Sequence, residues 1–328
     1  MPLSRRHLLA SGLVLSGTGV LAACSSQSSS PLTIGLTYTP NIQFAPIYMA
    51  KKNSKYASGV SLRHHGAQEG LFDALLSGKE QLVVAGADEA VVAASNGSDL
   101  VVVGGYYQSY PACLIVPENS PIKTPADLKG KTVGTPGRKG ETWYALQLAM
   151  DTASLSESDL TIQDIGYTQQ AALVGGKVDA VVGFSNNDAV QIKQAGTAVR
   201  TIQPAESIPL IGVSLVTTRK LLDSRREDLQ AAVKASAEGM TAFVKDPDAA
   251  VEATKEYVQD LVDSTQAANA REVAVATGKL VSGEGKAAVG SVRVDDFTPM
   301  IEFLASHKIL GDKKTPKAAD VCVPLTSN

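Results

Sequence analysis

Two stretches of this 328-residue chain are so alike that they constrain its fold more than any other feature. Residues 75–91 and 173–190 each contain a helix end, a Gly-Lys turn, an apolar run, a polar loop and a new apolar-periodic segment. Uninterrupted apolar runs between turns are typical of strands that helices cover on both faces. Ligands of such sheets bind beyond the carboxyl ends of the strands, where Asp88 and residues 186–188 would lie. We therefore expect two α/β lobes that face one cleft.

Strands and helices alternate around these two units. The alternation predicts a parallel sheet with right-handed crossovers in the first lobe, and amphipathic helices follow Thr218. We assign residues 32–110 to lobe 1, residues 111–212 to lobe 2, and residues 213–328 to the completion of lobe 1 with its C-terminal helices. Two chain crossings between the lobes would form a hinge that closes over a ligand.

The first thirty residues predict export. Arg5 and Arg6 precede an apolar segment, residues 8–20, that is too short to span a bilayer comfortably. The segment ends in the lipobox Leu21-Ala22-Ala23-Cys24, so residues 1–23 are a predicted lipoprotein signal peptide and Cys24 the lipidation site. Residues 24–31 are a Ser-rich tether. An ordinary signal peptide with a coincidental Cys is the alternative, and the general and twin-arginine export routes both stay open.

Cleavage there would leave two cysteines, Cys113 and Cys322. Outside the cytoplasm two thiols tend to form a disulfide, but two separate buried thiols are an equal alternative. No Cys/His grouping has metal-ligand spacing, so we expect neither a metal nor a cofactor. A net charge of -3 gives no reason to expect a nucleic acid as partner.

Four segments together resemble the substrate-binding proteins of ABC importers. They are residues 41–48, 75–78, 125–134 and 173–180, and the resemblance is greatest to the NMT1/THI5-like family, which includes binders of thiamine pyrimidine precursors. The family implies an α/β fold of the periplasmic-binding-protein type II, with two lobes on a two-crossing hinge. It also implies a monomeric, non-enzymatic receptor that is lipid-anchored to the outer face of a bacterial membrane and delivers a small solute to permease and ATPase subunits.

One segment departs from the family pattern and leaves the exact ligand open. Pyrimidine-precursor binders of this family often carry Gly-Tyr-Trp-Asn-x-Glu after the second-lobe strand, whereas this chain has Gly183-Phe184-Ser185-Asn186-Asn187-Asp188. The Trp has become Ser185 and the acid is shorter. Trp143, at the start of a neighbouring helix, is a candidate replacement for the stacking face.

A flat heterocycle needs aromatic faces and a matched polar edge. Several aromatic side chains fall at strand ends or helix starts, and the polar ones between them can hydrogen-bond an aminopyrimidine. The Gly-rich loop before Trp143 can bind an anion with Arg138, or it is simply a solvated basic turn. The candidate ligand-binding residues are Tyr38, Asn41, Phe44, Asp88, Tyr106, Tyr107, Arg138, Gly140, Glu141, Trp143, Phe184, Asn186, Asn187 and Asp188.

Three other functions compete with aminopyrimidine binding. A riboflavin binder would need a longer, more aromatic cleft, and a sulfonate or taurine binder would need mainly the Arg138 loop. A pyrimidine synthase of this fold would call for a Cys-rich iron site and a His cluster, and the sequence has neither. The number of aromatic residues near strand ends favours a heterocycle.

Overall fold

The computed structural model of the protein describes residues 31–66, 69–285 and 287–326. The predicted signal peptide, Cys24 and most of the predicted tether lie outside the described residues. Residues 31–328 form one compact unit.

Two five-stranded sheets make up this unit. The first has the strand order β2-β1-β3-β10-β4, and the second has the order β7-β6-β8-β5-β9. The strands of the first sheet are β1 (Thr33–Leu36), β2 (Ser61–His64), β3 (Leu82–Gly86), β4 (Leu100–Gly105) and β10 (Val213–Thr218). Those of the second are β5 (Ala112–Pro117), β6 (Thr132–Thr135), β7 (Thr161–Asp164), β8 (Ala180–Phe184) and β9 (Val199–Ile202).

The two similar sequence stretches occupy equivalent positions in these sheets. β3 leads into α3 (Ala87–Ser95), and β8 leads into α6 (Asp188–Gln194). Each strand is the middle one of its sheet, with a parallel neighbour on one side and an antiparallel neighbour on the other. Each is also wholly or almost wholly buried, which explains the continuous apolar runs.

The parallel sheet predicted for lobe 1 is correct for β1, β2 and β3 but incomplete. β10 lies between β3 and β4 and is antiparallel to both, with Leu215 opposite Val84 and Gly104. The chain returns from the second sheet to insert this strand. A local alternation of strands and helices carries no information about such a long-range insertion.

The helices of the lobes lie along the sheets, and a C-terminal group of helices follows β10. The helices along the sheets are α1 (Ala45–Lys52), α2 (Asp73–Leu76), α4 (Gly140–Thr152) and α5 (Gln169–Val174), together with α3 and α6. The helices that follow β10 are α7 (Arg219–Ser224), α8 (Arg226–Lys245), α9 (Pro247–Thr254), α10 (Ser264–Ser282), α11 (Phe297–Ser306) and α12 (Ala318–Val321). α9 ends at Thr254, and a separate 3₁₀ turn, Gln259–Val262, follows it.

One continuous core extends through both sheets. Val83 of the first sheet, Leu114 of the second and Phe297 of α11 belong to the same buried cluster. Where α8 crosses α1, Gly239 is required, since a Cβ there would come within 2.2 Å of the Pro46 carbonyl oxygen.

The disulfide alternative is wrong. Cys113 and Cys322 are both buried and free, because Cys113 lies on β5 of the second sheet while Cys322 bridges to Val102 of the first. Burial raises the pKa of both thiols, to about 12 for Cys322. Within the described ranges, no helix is long and apolar enough to cross a membrane.

Candidate functional site

The two connections between the sheets meet the N-terminus of α3. They comprise residues 106–111 and 203–212. The second connection accepts hydrogen bonds from the first turn of α3, at 2.9 Å from Ala87 N to Gly212 O and 3.0 Å from Asp88 N to Ile211 O. These two N–H groups, which could otherwise bind an anion at a helix start, are therefore already satisfied.

Three carboxyl groups from both lobes converge beside the backbone of Gly86. A Cβ placed there would lie 2.7 Å from Asp88 Oδ1, 2.7 Å from Glu89 Oε2 and 3.2 Å from Glu141 Oε1. Asp88 and Glu89 belong to the first turn of α3, and Glu141 belongs to the first turn of α4. We call these three residues the interlobe acid cluster.

Tyr110, from the first connection, holds the two sides of the cluster together. Its hydroxyl donates to Asp88 Oδ2 at 2.8 Å and to the Glu141 carbonyl oxygen at 3.0 Å. Tyr110 is buried and was not among the predicted site residues, nor was Glu89. The only sequence signal for Tyr110 is an aromatic residue inside a predicted hinge.

Burial raises the pKa of all three acids. The pKa of Asp88 and that of Glu141 lie well above their usual range, because burial disfavours the charged form and the neighbouring carboxylates add to this effect. Burial raises the pKa of Glu89 to about 7, with Lys139 opposing the shift. Glu89 is therefore partly protonated near neutral pH.

Two buried oxygen atoms near the cluster have no hydrogen-bond donor among the described residues. They are Glu141 Oε1, on a residue 7% exposed, and Asn186 Oδ1, on a residue 1% exposed. An unpaired buried acceptor costs about 1–3 kcal/mol, so both atoms favour a ligand that donates hydrogen bonds.

Tyr107 lies next to Asn186. Asn186 Nδ2 lies 3.4 Å from the Tyr107 hydroxyl and donates to Thr277 Oγ1 at 2.9 Å. Burial raises the pKa of Tyr107. Asn186, Tyr107, Glu141 and Asp88 are all buried.

Asn186 is the inward-facing member of its loop. Asp188 instead accepts the Phe184 backbone N–H at 2.7 Å, and Asn187 accepts from Gln191 at 2.8 Å. Phe184 is half-buried against the common core. The hydrogen bonds of Asp188 and Asn187 hold the loop in place. Ligand contact by Phe184, Asn187 and Asp188 stays a prediction.

Arg138 and Trp143 pack on each other at the start of α4. The guanidinium lies 5.1 Å from the Trp143 ring centroid, bonds to Glu157 and comes within 3.9 Å of Asp164. Trp143 is buried, whereas Arg138 is exposed and paired with acids of its own lobe. This geometry favours the surface-turn alternative over an anion site at Arg138. Gly140 needs its positive φ of 74°, and a Cβ there would come within 2.9 Å of Glu89.

Three predicted residues from the first lobe have structural contacts, and a fourth is exposed. Asn41 accepts from Gln43 N and so caps the 3₁₀ turn Ile42–Phe44, while Phe44 packs edge-on against His64 at 5.6 Å. Tyr106 is buried and donates to the Gln43 carbonyl oxygen at 2.8 Å. Tyr38 is 48% exposed just beyond β1. Ligand contact by these four residues stays a prediction.

The C-terminal helix α10 also reaches the second lobe. Besides the Thr277 contact, Gln194 of α6 donates to the Asn269 carbonyl oxygen at 3.0 Å and to Glu272 at 2.9 Å. Sequence reasoning missed this contact, since a polar residue on an amphipathic helix gives no sign of its distant partner.

Sequence comparison gives a family and named relatives. The family model described as NMT1/THI5 like matches residues 41–250. The chain is 30% identical to the riboflavin-binding protein RibY of Chloroflexus aurantiacus, over 70% of this chain and 67% of that protein. It is 24% identical to a formylaminopyrimidine-binding protein of Halalkalibacterium halodurans, over 70% of this chain and 73% of the relative.

Structure comparison confirms the predicted fold. The aliphatic sulphonate binding protein SsuA of Escherichia coli superposes with a TM-score of 0.68 at 20% identity, covering 88% of this chain and 91% of that one. SsuA of Xanthomonas axonopodis, bound to MOPS, gives 0.67 at 17% identity over 90% and 99%. At these identities the likeness shows the periplasmic-binding-protein fold alone.

Proposed function

The chain belongs to the NMT1/THI5-like family, and we propose that it is the receptor of an ABC importer for a nitrogen heteroaromatic, first of all an aminopyrimidine precursor of thiamine. Lobe closure would hold the solute between the two sheets and present it to the permease. A relative named as a formylaminopyrimidine-binding protein, matched over 70% of the chain, supports this ligand class.

The observation that carries the proposal is the pair of unpartnered buried acceptors, Glu141 Oε1 and Asn186 Oδ1. The amino group of an aminopyrimidine donates N–H hydrogen bonds, and the neighbouring ring nitrogen becomes a second donor when it is protonated, so this edge matches such acceptors. Tyr107, whose hydroxyl lies 3.4 Å from Asn186 Nδ2, would offer an aromatic face for stacking, worth roughly 0.5–1.5 kcal/mol beyond burial.

Riboflavin is the second candidate, because the relative that binds it by name is 30% identical. The isoalloxazine edge and the sugar hydroxyls also donate hydrogen bonds. A sulfonate fits less well, since the cluster is acidic, Arg138 pairs with Glu157, and the first N–H groups of α3 are occupied.

The proposal also covers export, membrane anchoring and oligomeric state. We propose that residues 1–23 are removed, that Cys24 is lipidated, and that the protein is a monomer without enzymatic activity. The named relatives support a receptor, since two of them are binding proteins. A 16% identical structural neighbour is a desulfurization enzyme, and this likeness concerns the fold only.

Calorimetric titration of residues 31–328 with the hydroxymethyl aminopyrimidine precursor of thiamine, riboflavin and an alkanesulfonate tests the proposal. A ligand at about 100 times its dissociation constant should add about 2.7 kcal/mol to the free energy of unfolding. We expect the aminopyrimidine to bind one site, with riboflavin as the alternative. Binding of the sulfonate alone, or of none of the three, would overturn the proposal.

A further inference from the structure

We propose that the interlobe acid cluster is a subsite for a positively charged, doubly N–H-donating edge of the ligand, as in an amidinium or a protonated aminopyrimidine. The inference rests on the proposed function and narrows its ligand class from heteroaromatics in general to those that bind as cations. It also distinguishes the two candidates, since riboflavin is neutral.

The convergence of the three acids is the first observation. Carboxyl oxygens of Asp88, Glu89 and Glu141 crowd the Cα of Gly86, so that a Cβ built there would lie only 2.7, 2.7 and 3.2 Å from them. Two of the acids come from α3 and one from α4, so a ligand group bound by all three would contact both lobes at once. Three carboxylates this close cannot all be ionised without a cation among them.

The unpartnered acceptors are the second observation. Glu141 is more than nine-tenths buried, and its free Oε1 points toward the same place, 2.9 Å from a Cβ built on Gly212 of the second connection. Asn186 Oδ1, fully buried beyond Tyr107, has no donor either among the residues described. Both atoms accept hydrogen bonds, and a cation with N–H groups is the partner that satisfies charge and hydrogen bonding together.

Asp88 accepts hydrogen bonds from the Glu89 backbone N–H at 2.7 Å and from Tyr110, whereas Glu141 Oε1 has no donor among the described residues. Lys139, exposed ahead of α4, acts on Glu89 from outside. The other titratable groups facing the cluster are hydroxyls of Tyr107, Tyr110 and Tyr144, which stay neutral because burial raises their pKa. In the described part of the chain, no group of His, Cys, Asp and Glu residues is arranged to hold a metal ion.

Cation binding would release protons. An amidinium placed among the acids favours their ionised forms, so protons held by the cluster before binding pass to the buffer. The affinity for a permanently charged amidinium should therefore rise as the pH rises through about 7, the pKa of Glu89. A neutral ligand would release none.

Benzamidine, benzamide and benzenesulfonate form a matched probe set, because they share one ring and differ in charge. Calorimetric titration of residues 31–328 should show benzamidine binding at least about tenfold more tightly than benzamide, a difference of about 1.4 kcal/mol. Benzenesulfonate should not bind. Titration in two buffers of different ionisation enthalpy should report proton release with benzamidine only.

Three variants test which acids cause the preference for benzamidine over benzamide. Glu141→Gln and Glu89→Gln keep side-chain size and should reduce the benzamidine preference to about twofold or less. Glu157→Gln removes an exposed acid of the second lobe that pairs with Arg138, and it should keep the full preference. Unfolding curves check that each variant folds.

The outcomes separate this inference from the proposed function. Equal affinity for benzamide and benzamidine, or a preference that survives Glu141→Gln and Glu89→Gln, contradicts the cation subsite and leaves the receptor proposal standing. Binding of riboflavin with no benzamidine preference does the same. Failure of the aminopyrimidine, riboflavin and all aromatic probes contradicts both.

Discussion

Tyr110 contributes one hydroxyl to two elements of different lobes, and this makes it a structural as well as an electrostatic residue. It donates to Asp88 on α3 and to the Glu141 carbonyl oxygen on α4. Its removal would leave a buried carboxyl oxygen and a buried carbonyl oxygen without this donor. In buried sites the loss of one partner costs more than the bond itself contributes.

Tyr110→Phe should lower the free energy of unfolding by about 1–3 kcal/mol, measured by urea titration of residues 31–328. Tyr167→Phe is the control, since Tyr167 is 82% exposed, and it should leave stability within about 0.5 kcal/mol of wild type. Equal stability of the two variants would show that the Tyr110 hydrogen bonds contribute nothing.

The lack of a side chain on Gly86 leaves room for the three converging carboxyl groups. Gly86→Ala places a methyl group 2.7 Å from Asp88 Oδ1, and flexible carboxyl groups can move away, so the fold should persist. We expect at least about tenfold weaker binding of the aminopyrimidine by calorimetry, with a nearly unchanged melting temperature. Gly137→Ala, where an added Cβ meets nothing within 4 Å, should bind like wild type. Undiminished affinity in Gly86→Ala would remove this point from the site.

The helix starts of α3 and α4 face each other, so the stability of the unliganded protein should depend on pH. The acids of the folded chain keep protons that unfolded carboxyls lose near about pH 4.3. Their stabilising contribution is therefore complete below the unfolded pKa and lost as the pH rises through the folded values, about 7 for Glu89.

Urea unfolding between about pH 5 and about pH 8 should show this loss, and Glu89→Gln should flatten the slope. Glu157→Gln, at an exposed surface pair, should retain it. Stability that is flat, or that rises across this range in the wild type, would contradict the protonated cluster.

Contacts between α6 and α10 should favour closure. Gln194→Ala removes the donor to Asn269 and Glu272, away from the acid cluster. We expect a severalfold weaker aminopyrimidine affinity with little change in the melting temperature, and a larger interlobe distance by fluorescence energy transfer. Gln191→Ala, whose partner is Asn187 within the same lobe, is the control. An unchanged distance distribution in Gln194→Ala would show that these contacts do not hold the lobes.

Sequence patterns predict individual strands and helices more readily than the long-range contacts between them. The likeness of residues 75–91 and 173–190 correctly placed β3 and β8 at equivalent positions, because buried strands and glycine turns are local signals. The insertion of β10 between β3 and β4 and the reach of Thr277 to Asn186 could not be read, because both depend on the folded chain. Asp88, Glu141 and Asn186 were selected for positions after strands or at helix starts; the structure brings Asp88 and Glu141 together, and Asn186 is buried beside Tyr107. Arg138 met the same local criteria but lies at the surface.

At the scale of the whole molecule, the proposed receptor function requires the solute to bind between the lobes. A different depression exists on the outside of the first lobe, a groove of about 690 Å³ along α8 lined by Lys55, Lys234 and Lys245 among others. It is far in sequence from the residues that carry the proposal, and Lys55 is paired there with Glu238. Binding at that groove would leave the acid cluster without a role in recognition.

Hydrogen–deuterium exchange of residues 31–328, with and without a saturating aminopyrimidine, distinguishes these locations most directly. A solute held between the lobes should slow amide exchange at the start of α3, in residues 106–111, at the start of α4 and in residues 184–188, which are segments of both lobes and of the connection between them. Protection confined to one lobe, or to α8 and its groove, would contradict a solute held between the two sheets.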